Sequence, residues 1–176
     1  IDNYAYSNNR VTKDPLYPQS KFNVIKEFVI DSAYCASHSE KPSIKKPANT
    51  NILSTELNNE CKEIKIVVTA DVKYTGEVWQ DRFISLCLKY VHNKKTVVSH
   101  SDYISKLLTV KESIPSQWMK MEFIKTISVN DYKEGNLDIY LKPTHTDSYW
   151  NPEHTITLKN INVSILGSNL PCSQFA

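Results

Sequence analysis

The sequence of 176 residues is poor in glycine, with only Gly76, Gly135 and Gly167. Glycine-rich phosphate loops need several closely spaced glycines, and the nucleophile elbow of the α/β hydrolases needs a Gly-x-Ser-x-Gly motif. Because the chain contains neither motif, we expect neither a nucleotide-dependent enzyme nor an α/β hydrolase. No uncharged apolar run approaches the roughly 18 residues that a membrane-spanning helix requires.

An excess of one charge is also missing, since 21 Lys and Arg stand against 19 Asp and Glu. Nucleic-acid-binding proteins concentrate their cations on one face or arm. This chain has only short basic pairs, such as Lys45-Lys46 and Lys94-Lys95. We therefore expect no nucleic-acid partner.

The chain opens at Ile1, with no initiator Met and no signal peptide ahead of it. We therefore expect it to have been processed or excised from a longer protein. Hydrophobic residues make up 40% of the composition. That content is enough for a single domain with its own core, spanning 1–176.

The four cysteines form no C-x-x-C motif and no tight Cys/His cluster, which gives no indication of zinc or another metal. An even number at wide spacing fits two disulfides in a secreted domain, and four free thiols in a cytosolic protein is the alternative. Cys35 follows a predicted strand and Cys61 precedes one, so we expect Cys35 to pair with Cys61, and Cys87 with Cys172. The sequon at Asn162 is compatible with an extracellular glycoprotein.

Alternation with period two dominates the second half of the sequence and predicts strands at 64–74, 82–91, 118–130, 137–141 and 154–166. Within the last of these the apolar phase switches near Lys159-Asn160, which predicts a bulge or a change of core face. A more buried strand is predicted at 22–30. The best helix candidate is 101–108, and 35–55 and 143–152 are predicted as long surface loops. We therefore predict an all-β fold, an antiparallel two-sheet β-sandwich with at most one or two short helices.

Histidine and acidic residues cluster locally only at His100-Ser101-Asp102 and His145-Thr146-Asp147. Nothing nearby supplies a third metal ligand or an oriented nucleophile. We therefore predict surface histidines, no catalytic residue, no metal site and no cofactor.

Acidic residues and a tyrosine share the solvent-facing phase of the predicted strands, and such a face could hold a cationic partner protein. The alternative is a solvated face neutralised by cross-strand lysines, for which Lys65, Lys73, Lys120 and Lys142 are available. A second kind of ligand stays open, because Trp79, Trp118 or Trp150 could form a platform for a glycan or small ligand. The predicted partner-binding residues are Glu63, Asp71, Glu122, Asp138 and Tyr140.

Three segments carry a resemblance to a known family: FNVIKEFVIDSAYC, ECKEIKIVVTADVKYTGEVWQDRFISLCLKY and NVSILGSNLPC. They resemble the SECRET domain, the chemokine-binding domain at the C-terminus of poxvirus-encoded decoy tumour necrosis factor receptors. The likeness covers the chain from about Phe22 to Cys172.

The resemblance implies a secreted, non-enzymatic β-sandwich that binds host chemokines through one sheet face and blocks their engagement of receptors. It also implies that cysteine-rich repeats upstream bind tumour necrosis factor in the full-length protein. It does not identify contact residues one by one, so the five partner-binding residues above depend on strand phase alone.

Overall fold

The computed structural model describes residues 16–31, 34, 49–58, 63–75, 84–109, 116–129, 134–143 and 155–168. These residues form nine strands and one short helix. In chain order the elements are β1 (Leu16–Val24), β2 (Phe28–Ile30), β3 (Thr50–Asn58), β4 (Glu63–Thr75), β5 (Ile84–His92), β6 (Lys95–Tyr103), α1 (Ile104–Leu107), β7 (Met119–Ser128), β8 (Glu134–Pro143) and β9 (Thr155–Ser168).

The strands form two antiparallel sheets. In sheet A the order is β1-β9-β4-β7, with β2 also paired to β9, and in sheet B the order is β3-β8-β5-β6. The pairings β1 with β9, β3 with β8, β4 with β7 and β5 with β6 are nested, so that the two halves of the chain run antiparallel like the arms of one long hairpin. This nesting, wrapped into two sheets, is the arrangement of a jelly roll.

Side chains of both sheets share one hydrophobic core. The alternation predicted for the main strands is confirmed, since the inward residues of β4, from Ile64 to Tyr74, are all buried. The same holds for Ile84, Leu86, Leu88 and Tyr90 of β5 and for Leu137, Ile139 and Leu141 of β8. The predicted all-β sandwich is therefore confirmed.

Strand β9 contains the predicted bulge. Its register with β4 shifts between Lys159 and Asn162, and Asn160 has a φ of 54° in the left-handed region. The extra residue allows both Leu158 and Ile161 to be buried although they are three positions apart. An asparagine is suited to this position because its side chain tolerates positive φ better than most.

Three predicted elements differ from the structure, and one strand was not predicted. The predicted strand 22–30 is two strands, and Ile25 and Val29 are exposed rather than buried. Strand β3 begins inside the predicted loop 35–55, and β6 was not predicted because its apolar residues Val97 and Val98 are adjacent and do not alternate. The predicted helix 101–108 is wrong in its first half, because those residues end β6 and only Ile104–Leu107 is helical.

The helix carries the chain from the edge of sheet B to the edge of sheet A. Ile104 is fully buried between them, and just beyond the helix Leu108 bridges to Met121 of β7. On the same side, Lys125 of β7 and Asp102 of β6 form an ion pair at 3.2 Å. Lys125, which interrupts the apolar phase of its strand, therefore links the two sheet edges. An inward-facing charge on an edge strand such as β7 also disfavours pairing of that strand with another chain.

None of the helices in the described part of the chain has the length and apolar character needed to cross a membrane.

Candidate functional site: two outer faces of opposite character

The two sheets pack through their inner sides, so their outer sides point in opposite directions. We call the outward side of sheet A face A and that of sheet B face B. Both are built on regular strands, which hold side chains at fixed spacings of about 4.8 Å across the strands and about 6.8 Å along one face of a strand.

The five predicted partner-binding residues do not lie together. Glu63 and Asp71 on β4 and Glu122 on β7 lie on face A. Asp138 and Tyr140 are on β8 and therefore on face B. Strand phase separates inward from outward side chains but does not tell which sheet a strand joins, and for that reason the sequence could not separate the two groups.

Asp71 on face A is neutralised within the molecule. It lies across from Lys120 of β7 and Lys159 of β9, and its carboxylate pairs with the Lys120 ammonium. Asn160 Nδ2, presented by the bulge, donates a hydrogen bond to Asp71 Oδ2 at 2.7 Å. The hydrogen bonds from Lys120 and Asn160 lower the pKa of Asp71. For Asp71, cross-strand neutralisation is therefore the correct alternative.

Trp118 lies beside this cluster and is 40% exposed. The Nζ atoms of Lys73 and Lys159 lie over its ring, 4.8 Å and 4.0 Å from the centroid. A ring with two ammonium groups over it offers little free surface for stacking against a sugar. Trp79 and Trp150, the other residues of the predicted platform, lie outside the described residues.

Face A as a whole is basic. Among the described residues its outward carboxylates are the three predicted ones, whereas its outward lysines number five. These lysines are Lys21, Lys65, Lys73, Lys120 and Lys159.

Asn162, the sequon residue, lies on face A in a central strand and is exposed. It is flanked by Asn23 of β1 and Thr69 of β4, and its Nδ2 donates to the Asn160 carbonyl oxygen at 3.2 Å. Its neighbours across the strands and along β9 have short side chains, so the Asn162 side chain is not overhung by them.

Face B has a buried centre. Cys87 lies on β5 between Tyr140 of β8 and Ser101 of β6, and is buried despite its outward phase. Burial raises the pKa of the Cys87 thiol and of the neighbouring Tyr140 hydroxyl. Lys89 Nζ lies 5.5 Å from the centroid of the Tyr140 ring.

Cys87 is a free cysteine, so the predicted pairing with Cys172 is wrong for this residue. The Cys87 side chain is enclosed at the surface of sheet B. Cys35, Cys61 and Cys172 lie outside the described residues.

Three carboxylates collect at one end of face B. Asp138 accepts a hydrogen bond from Asn136 Nδ2 at 3.0 Å, and Glu56 lies across from Asn136 on the adjacent strand β3. Glu134 begins β8 at the same end. Among the described residues none of these three carboxylates forms an ion pair, in contrast to Asp71 on face A.

This end of face B opens into a groove of about 660 Å³. Glu56 and Glu134 line it together with Asn136 and with Lys94 of the β5–β6 turn. His92, the last residue of β5, also lines it, and its Nδ1 lies 2.7 Å from the Glu134 carbonyl oxygen. Gly135 lines it too, directly over the buried ring of Tyr90: a Cβ at this position would lie 2.6 Å from the Tyr90 hydroxyl oxygen.

Sequence reasoning missed Glu56 and Glu134. Glu56 lies on β3, which was not predicted as a strand, and Glu134 lies before the predicted start of β8. A signal existed for β3, since Leu53, Thr55 and Leu57 alternate with Ser54 and Glu56. Nothing in the sequence indicated that β3 pairs with β8.

No group of three metal-ligating side chains occurs within the described ranges. Asp102 of the His100-Ser101-Asp102 cluster is committed to the ion pair with Lys125. His145 and Asp147 lie outside the described residues.

No protein-family model and no curated protein sequence matches this chain. Solved structures match its fold: the VP2 subviral particle of infectious bursal disease virus has a TM-score of 0.56 at 6% identity, over 95% of this chain and 37% of that chain. The T13 particle of the virus matches at 0.56 and 6% identity, over 88% and 32%. The chain thus spans about a third of the proteins it resembles, and likeness at this identity shows the fold alone.

Proposed function

We propose that this chain is a secreted binding module that captures host chemokines through the acidic end of face B and thereby blocks their engagement of receptors. The observation that carries the proposal is a group of three carboxylates that form no ion pair among the described residues: Glu56 and Glu134, which line an open groove, and Asp138 next to Asn136 of its lining. The segments that resemble the SECRET domain supply the partner class.

Electrostatics favours face B over face A for this role. Chemokines present basic loops, and charge complementarity raises the association rate and penalises wrong partners. A basic loop approaching face A would meet more lysines than carboxylates, and Asp71 would first have to leave Lys120. On face B, Lys89 lies across from Asp138 and Lys94 lines the groove, but within the described residues neither lysine forms an ion pair with Glu56, Glu134 or Asp138.

Tyr140 provides an anchor beside the carboxylates. It is half-buried, two residues from Asp138 on the same outward side of β8. Tyrosine is common at the centre of protein interfaces because it combines apolar area with a polar group at low entropic cost. Asp138 and Tyr140 are thus the two sequence-predicted residues retained in the proposed site, to which Glu56 and Glu134 are added.

The proposal is tested by surface plasmon resonance of the chain against immobilised chemokines, at low and at physiological salt, in parallel with a glycan array. We expect saturable chemokine binding with an association rate that falls as salt rises. Competition with cells carrying the matching receptor then tests the block of signalling. Binding to glycans without binding to any chemokine would contradict the proposal.

A further inference from the structure

We infer that Asn162 carries an N-linked glycan which covers face A, leaving face B as the outer face on which a protein partner docks. The glycan and its covering of face A depend on the expected secretion and on geometry. Docking of a partner on face B rests on the proposed function. An N-glycan is bulky and solubilising, so its position on a flat sheet determines which side of the sandwich remains accessible.

The position of Asn162 within sheet A carries the argument. A cross-strand row runs from Asn23 through Asn162 and Thr69 to Glu122. Asn162 is therefore on an interior strand with outward side chains on every side, and at the strand spacing Glu122 is only about 10 Å away. A branched oligosaccharide attached here extends over neighbouring rows in any orientation.

The side chains next to Asn162 leave room for a sugar. Asn23, Thr69 and Ser164 are the nearest outward residues, and all are short. The longer lysines stand further off: Lys21 is one strand and one row away, about 8 Å at regular strand spacing. Within the described residues, the Asn162 amide donates one hydrogen bond, to the Asn160 carbonyl oxygen, and a glycosylated amide keeps one N–H for it.

Face A also has the apolar exposure that a glycan would cover. In the described residues, all four exposed large hydrophobics belong to sheet A or its connecting segments: Ile25, Val29, Trp118 and Ile124. Ile124, on β7, is 45% exposed and lies one row from Glu122. Single exposed hydrophobic residues are normal on a protein surface; Ile124 shares face A with the sequon, so it lies on the side that a glycan on Asn162 would cover.

In the experiment, the 176-residue chain is expressed in a eukaryotic cell that secretes it. The secreted chain is then treated with the amidase that releases N-glycans and converts the linked asparagine to aspartate. Peptide mass spectrometry should find aspartate at position 162. Asn162→Gln and Ser164→Ala should both abolish the glycan, whereas Ser164→Thr keeps the sequon and serves as the matched control. An unmodified Asn162 in the secreted chain would overturn the inference.

The covering of face A by the glycan is measured by comparing the rates of lysine acylation in the glycosylated chain and in the Asn162→Gln variant. Lys21 should react at least about twofold more slowly with the bulky glycan present, while Lys95, exposed on sheet B, should react equally in both proteins. Equal labelling of Lys21 would overturn the coverage. If Asn162→Gln forms dimers that Ser164→Thr does not, covering of face A by the sugar is supported.

Docking of a partner on face B is tested on the same proteins. We expect the glycosylated chain and Asn162→Gln to bind chemokine with equal dissociation constants, because face B is on the other side. Weaker binding by the glycosylated chain would place the partner on face A and overturn docking on face B. If neither protein binds chemokines, the proposed function fails, whereas site occupancy and lysine labelling still decide whether the glycan covers face A.

Discussion

Face A and face B are built by the same period-two alternation, yet their carboxylates are in different states. On face A, Asp71 has a lysine on each adjacent strand and is ion-paired and hydrogen-bonded. On face B, Asp138 lies between Ser54 of β3 and Lys89 of β5, and Glu56 lies across from Asn136, yet neither carboxylate forms an ion pair within the described structure. The difference teaches that a lysine on the neighbouring strand neutralises an outward carboxylate only where its ammonium reaches it: Lys120 pairs with Asp71, whereas Lys89 Nζ lies over the Tyr140 ring.

The largest expected effect comes from charge reversal on face B. Glu134→Lys and Asp138→Lys should weaken chemokine binding at least about tenfold each, since losing a desolvated charged contact costs about 2–5 kcal/mol. Glu63→Lys and Glu122→Lys are the matched controls on face A and should bind like the parent. Surface plasmon resonance measures the dissociation constants, with circular dichroism to check folding. The opposite ranking would move the site to face A.

A second prediction concerns the floor of the face B groove. Gly135→Ala should lower the free energy of unfolding by about 1–3 kcal/mol, because the new methyl group overlaps the buried ring of Tyr90. Urea unfolding followed by tryptophan fluorescence measures the change. The double variant Gly135→Ala/Tyr90→Leu should lose less than the sum of the two single variants. Strict additivity would show that the contact between the two residues is not the cause.

A smaller effect is expected for Asp71→Asn on face A. The pKa of Asp71 is lowered in the fold, so its carboxylate contributes stability at pH values above the unfolded pKa, and this contribution is lost as the pH falls through the folded pKa. Because the Lys120 partner is largely exposed, the loss at pH 7 should be about 0.5 kcal/mol; it should start to shrink as the pH falls below about 4 and disappear only below the lowered pKa of folded Asp71. Thermal unfolding across this range tests it, with Glu122→Gln as the unpaired control. A difference that grows on acidification would contradict the assignment.

The last prediction concerns the rate at which an alkylating reagent modifies Cys87 in the unaltered sequence. Burial and the raised pKa of the thiol should make it slow to react in the native protein and fast in denaturant without reductant. Peptide mapping after each treatment identifies the labelled residue. A Cys87 that stays unlabelled in denaturant until reductant is added would restore the predicted disulfide.

Strand phase predicted the buried residues well because the signal is local. The inward positions of β4, β5, β7 and β8 follow from alternation, and the switch at Lys159-Asn160 correctly predicted the bulge of β9. The failures also have local causes. Strand β6 has two adjacent valines, Ile25 lies in the short interruption between β1 and β2, and Val29 is the outward residue of β2, so Ile25 and Val29 are exposed despite being hydrophobic.

The candidate site was predicted only in part. Asp138 and Tyr140 were identified as outward residues, but their neighbours Glu56 and Glu134 were not, because the pairing of β3 with β8 joins residues about eighty positions apart. Glu63, Asp71 and Glu122 lie on the other sheet, and this assignment also depends on pairing between strands that are distant in sequence. Whether any of these residues contacts a partner stays a prediction.

By itself the sequence determined the all-β class, the inward face of each main strand and the bulge, since each depends on side chains a few residues apart that a pleated strand alternates between two sides. Only the tertiary structure decided the jelly-roll order, the division of the carboxylates between two faces, the ion pair of Asp71 with Lys120 and the burial of the free Cys87. These properties depend on which strands become neighbours, and that choice is made by the packing of both sheets around one core.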